Sequence, residues 1–113
     1  MINIDKLIVC IASDFNSETT KYNIINTPHY QYAIGIKQPY IDYFNKYIGT
    51  RLCDNHTCLQ FDKLINNFNP KTYNFEESRL IIINRQFNVM DGAHRLAILK
   101  KNNINKINVI VYF

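Results

Sequence analysis

Tryptophan is absent from this sequence, and cysteine, glycine and proline occur only three times each. The three cysteines, Cys10, Cys53 and Cys58, cannot all pair with one another and are too few for a disulfide scaffold. A reducing, cytoplasmic setting is the expectation, in which the sequon Asn55-His56-Thr57 has no meaning as a glycan acceptor. Zinc is disfavoured as well. The segment Cys53-Asp54-Asn55-His56-Thr57-Cys58 offers two thiols and an imidazole, one ligand short of a structural tetrahedron and without a Cys-x-x-Cys pair. No apolar run approaches the roughly 18 residues that cross a bilayer, so no membrane partner is expected. The start, Met1-Ile2-Asn3-Ile4-Asp5-Lys6, lacks a basic head followed by an apolar run and does not read as a secretory signal. Blocks of one charge are also missing. The formal charge of +4 is mild and the lysines are scattered, which permits nucleic acid, nucleotide or anionic sugar partners without demanding any. Without a basic arm or a continuous basic helix, direct reading of DNA is not favoured.

What is present is an ordinary globular balance. Hydrophobic residues at 47% against 19% charged residues argue against wholesale disorder. The length of 113 residues suits one domain, 1–113, with one modest core. Eight tyrosines and seven phenylalanines make that core aromatic. The surplus of Asn, Ile and Lys over Ala, Gly and Arg is a compositional bias and carries no mechanism.

Along the chain, Leu7-Ile8-Val9-Cys10-Ile11 is an apolar, mostly β-branched run and the expected first strand, with Cys10 buried and inert. Ser13 to Thr20 reads as polar turn. Thr27 followed by Pro28 is a helix start, with Thr27 as cap and Pro28 at the first helical position, and Gly35 ends that helix. Pro39 to Ile48 carries the stripe Tyr40, Tyr43, Phe44 and Tyr47, whose helical spacing points to core packing. A third helix is expected from a Thr57 cap, burying Leu59, Phe61, Leu64, Ile65 and Phe68 before Asn69-Pro70 stops it. Arg79 to Ile83 and Phe87 to Met90, split by Asn84-Arg85-Gln86, suggest a hairpin. After one more helix, Asn102-Asn103 makes a left-handed exit into a final strand, Ile107 to Phe113. The expected fold class is α+β: a small mixed sheet with packed helices.

The chemistry concentrates at Val89-Met90-Asp91-Gly92-Ala93-His94-Arg95, a strand end feeding a helix through a glycine. Gly92 lets the backbone turn, and Leu96, Ala97 and Leu99 give the helix a packing face. The first amides of a helix lack intrahelical partners and sit at the positive end of its dipole, so the turn attracts anions. His94 and Arg95, in the same first turn, add an imidazole and a planar guanidinium suited to phosphate oxygens. Asp91 has two readings that do not exclude each other: a helix cap, or a carboxylate that holds Mg²⁺ or accepts a proton.

Asp91-Gly92-Ala93-His94-Arg95, followed by Leu96-Ala97, a helix, a short polar loop and a terminal strand, resembles the ParB/sulfiredoxin superfamily. Its members carry an Asp-Gly-x-His-Arg or Gly-Gly-x-His-Arg motif between a strand and a helix. They include the amino-terminal domains of ParB-like partition proteins, sulfiredoxins and free-serine kinases. The resemblance covers about the last third of the chain. It implies a compact fold of that type, with Gly92, Ala93, His94 and Arg95 holding the phosphates of ATP or ADP. It further implies Asp91 on Mg²⁺, with Asp91, His94 and Arg95 serving catalysis. By analogy with free-serine kinases, the activity implied is phosphate transfer to a small hydroxyl-bearing metabolite, related to an amino acid or a sugar. Such a kinase needs a carboxylate base, for which Glu18, Glu76 and Glu77 are unranked candidates. The alternative is a non-catalytic ParB-like module that binds nucleotide or DNA.

The sequence departs from two branches of that superfamily. Ala93 stands where a sulfiredoxin has its reactive cysteine, which disfavours sulfur chemistry at the motif. The ParB pattern is richer in arginine and precedes a helix-turn-helix domain. His29 follows Thr27-Pro28 at a helix start, like a Pro-His segment in members found beside carbohydrate-modifying enzymes, and is a candidate substrate contact. Arg51 and His56 lie in a polar loop that could close over a pocket, and are candidate substrate contacts too.

Overall fold

The computed structural model describes residues 2–12, 19–43, 55–71 and 81–112. In chain order the strands and helices are β1 (Ile2–Asn3), β2 (Val9–Ala12), β3 (Thr19–Tyr22), α1 (Pro28–Ala33), α2 (Gln38–Tyr43) and α3 (Asn55–Asn67). They continue with β4 (Ile81–Ile83), β5 (Val89–Asp91), α4 (Ala93–Lys101), β6 (Lys106–Ile107) and β7 (Val109–Val111). The class is α+β, as expected.

Among the described residues the strands form three small sheets instead of one. β1 pairs antiparallel with β6, Ile2 opposite Ile107. β2 and β3 form a hairpin with Val9 opposite Tyr22. β4 lies between β5, antiparallel, and β7, parallel. One parallel bridge, Ile8 to Asn88, ties the β2–β3 hairpin to the edge of β5.

Several local expectations hold for stated reasons. Thr27 caps α1 by accepting from the Tyr30 amide at 3.2 Å, and Pro28 occupies the first turn, where a missing N–H costs nothing. Buried Thr27 also donates its hydroxyl to the Ile24 carbonyl at 2.7 Å. Gly35 takes φ 105° after α1, and Asn103 takes φ 60° after α4.

Others are corrected. β3 starts at Thr19, inside the stretch read as polar turn; Thr19-Thr20-Lys21-Tyr22 is β-prone once a partner strand is at hand. The terminal strand is split at Asn108 into β6 and β7, which pair with different partners. α3 begins at Asn55, so Thr57 lies within it and not at its cap. Leu59 and Leu64 are exposed while Phe61 is buried, because the helix packs along one narrow stripe. Of the helix expected at 39–48, Gln38–Tyr43 is described and residues 44–50 lie outside the described residues. Arg51, Cys53, Glu18, Glu76 and Glu77 lie outside them too.

α4 is the centre of the molecule. Leu96, Ala97 and Leu99 belong to the main core with Ile4, Leu7, Val9, Ile24, Ile81, Ile83 and Ile107. Ile98, on its other side, joins a second cluster of Tyr32, Tyr40 and Phe61. A helix enclosed from both sides has its N-terminal tip held in a fixed place, and the candidate site is at that tip.

A candidate anion site at the tip of helix α4

Gly92 links β5 to α4 with φ 105°, a left-handed conformation that side chains disfavour. A Cβ there would also come within 2.7 Å of the Ile81 Cδ1 atom. The first intrahelical bond runs from the Leu96 amide to the Gly92 carbonyl at 2.8 Å, so the amides of residues 93 to 95 precede the ladder. Gly92 itself is the N-cap, and no side chain caps the helix. This corrects the capping reading of Asp91. It sits one residue too early, exposed at the end of β5, which leaves its carboxylate for other work.

A cavity of about 270 Å³ opens in front of this tip. It is lined by Gly92, Ala93 and His94 at the tip, by Val89, Met90 and Asp91 of β5, and by Val9 and Cys10 of β2. His29 of α1 and Tyr43 of α2 complete it.

The two histidines are in contact, their ring centroids 4.7 Å apart and their planes at 85°. His29 is buried, and that burial, together with His94 beside it, pushes its pKa down to about 3. Burial lowers the pKa of His94 too. The Nε2 atom of His94 lies 3.0 Å from the hydroxyl of fully buried Tyr40, and its ring meets Phe61 edge-on at 4.8 Å. α2 and α3 thus fix the His94 ring from behind. At neutral pH both imidazoles are uncharged, and they act through hydrogen bonds and dipoles instead of formal charge.

The structure therefore brings His29, Asp91, Gly92, Ala93 and His94 around one hollow. Arg95, half-buried in the same helical turn, is not among the residues lining it. His56 is the second residue of α3, and its side chain lies outside the described set. Two contributors went unrecognised in the sequence. Cys10, expected to be buried, is exposed and lines the cavity; the strand alternation that buries Val9 turns its neighbour outward. Tyr40 was read as core packing alone, and its hydroxyl also holds His94. Asp91 is the only formally charged side chain among the described lining residues, and it is negative, so what the cavity offers an anion is the amide end of the α4 dipole. Compared with protein-family models, curated proteins and solved structures, the chain has no match.

Proposed function

We propose that this protein binds ATP or ADP at the tip of α4 and transfers phosphate to a small hydroxyl-bearing metabolite, as a ParB/sulfiredoxin-like phosphotransferase. One observation carries the reading: β5, a left-handed Gly92 and the α4 tip open onto a cavity that His94 and His29 also line. Its 270 Å³ lies below the usual range for a whole drug-sized ligand, so the phosphate end enters and the nucleoside extends over the mouth.

Gly92 and Ala93 offer main-chain groups to the phosphate oxygens at the positive helix end. His94, oriented by Tyr40, adds a neutral imidazole beside them. Arg95, one residue on, supplies charge from the flank. Mg²⁺ is ordinarily held by one or two carboxylates plus phosphate oxygens and water, and Asp91, exposed and lining the cavity, fits that requirement. When bound, the ion would neutralise phosphate charge during transfer. His29, with its pKa pushed down to about 3, is uncharged at neutral pH, and Asp91 is the one carboxylate among the described lining side chains that could accept a proton when it is not holding the ion.

A second reading, a ParB-like nucleotide- or DNA-binding module without catalysis, is favoured by the single carboxylate, Asp91, among the described lining side chains. Thermal unfolding with ATP or ADP and Mg²⁺ tests both readings. Nucleotide at a hundred times its Kd stabilises a single site by about 2.7 kcal/mol. A rise in wild type that Arg95→Ala reduces supports nucleotide binding, and turnover accelerated by one metabolite in a panel selects the kinase. No rise with any nucleotide rejects the kinase and the nucleotide-binding module, and absence of salt-sensitive binding to duplex DNA rejects the DNA-binding form of the second reading.

A further inference from the structure

The cavity occupies a split between two parallel strands. β2 and β5 come together just before their first residues, at Ile8 and Asn88, where the Ile8 amide donates to the Phe87 carbonyl at 2.9 Å and its carbonyl accepts from the Val89 amide at 2.8 Å. A regular parallel ladder would continue with the Cys10 amide donating to the Val89 carbonyl. Among the described residues, Ile8 to Asn88 is the only bridge between these strands. The cause lies on the far side of β5. Its pairing with β4 skips a residue, Ile83 facing Val89 and Ile82 facing Asp91, so Met90 is the extra residue of a bulge. A bulge bends its strand, and here it carries β5 away from β2 just where their ladder would continue.

The split leaves Cys10 in a definite position. Backbone groups alternate sides along a strand, so the Cys10 amide and carbonyl face the same way as those of Ile8, toward β5 and away from β3. Cys10 and Val89, the two residues this bond would have joined, both line the cavity, together with the α4 tip.

We infer that the Cys10 main-chain amide is a binding residue of the phosphate site, donating across the split to a ligand oxygen that takes the place of the missing ladder carbonyl. This rests on the phosphate reading above. It adds that the ligand is gripped from two elements at once, the α4 tip and the edge of β2 that faces β5, and that it links the β2–β3 hairpin to the β5–β4–β7 sheet.

The geometry supplies its own probe. Proline at position 10 removes the Cys10 amide and leaves the Val9 and Ile11 pairing with β3 in place. The experiment measures MgATP affinity by calorimetry for wild type and Cys10→Pro. In parallel, carbamidomethylation of wild-type Cys10 and Cys58 is followed by peptide mass mapping, with and without MgATP and pyrophosphate. The expected result is at least a tenfold loss of affinity in C10P, with slower labelling of Cys10 and unchanged labelling of Cys58 on ligand binding. Should C10P fail to fold, the labelling of wild-type Cys10 decides alone. MgATP binding with unchanged Cys10 labelling, or with full affinity in C10P, overturns the role of Cys10 and leaves the phosphate reading standing. Absence of any binding by MgATP or pyrophosphate overturns both.

Discussion

Helices α3 and α4 both have apolar residues for packing, yet they carry different loads. α3 runs for 13 residues, buries Phe61 and leaves Leu59 and Leu64 exposed. α4 runs for 9, and four consecutive residues, Leu96 to Leu99, are buried. One covers an edge of the second core; the other is enclosed by both cores. The difference teaches where positional accuracy comes from. A catalytic or binding group is held as firmly as the element beneath it is packed, and α4 is the element that presents Gly92, Ala93 and His94.

Four experiments sharpen that contrast, taken from the largest effect down. Leu96→Ala in α4 should cost about 2–5 kcal/mol in chemical unfolding, the range for truncating a fully buried leucine. Acidification acts next. His29 in the native state binds a proton only near pH 3, whereas unfolded histidine binds one below about 6.5. Between those values the unfolded state holds more protons, so stability falls as pH drops through that window, by about 3 kcal/mol at pH 4. His29→Asn, measured over the same pH range, should remove most of that slope. Gly92→Ala should cost roughly 1–3 kcal/mol: the Ile81 side chain can rotate away from the new Cβ, but the left-handed backbone strain remains. Leu59→Gln or Leu64→Gln in α3 should shift stability by no more than about 0.5 kcal/mol. A cost above 2 kcal/mol there would erase the contrast.

The α4 side of this comparison was readable in the sequence, and the α3 side was misread. Near α4 the signals are local: a glycine that tolerates positive φ, a run of apolar residues and a hairpin before it. Local signals of that kind also gave Thr27 with Pro28 and the exit at Asn103. For α3, periodicity marked Leu59 and Leu64 as candidates for burial, but which of several apolar residues a helix buries depends on what it meets. Only Tyr32, Tyr40 and Ile98, brought from three other elements, single out Phe61. The capping role given to Asp91 failed by one residue, because Gly92 in its left-handed conformation takes the cap position itself. Cys10 and Tyr40 reach the site through tertiary contacts with residues about eighty and fifty-four positions away, which no local pattern encodes. The bulge at Met90, which opens the split, likewise has no signature in Val89-Met90-Asp91 alone.

The antiparallel pairing of Ile2 with Ile107 bears on how the chain reaches its shape. The Ile4 amide donates to the Asn105 carbonyl at 2.8 Å, and Ile4 and Leu7 complete the core under α4. During synthesis, β1 has no partner until nearly all of the described chain has left the ribosome. Closing so long a loop carries a large entropic cost before any contact repays it. The amino-terminal strand is therefore among the last elements to dock, and truncation before residue 105 leaves the apolar floor of the domain open to aggregation.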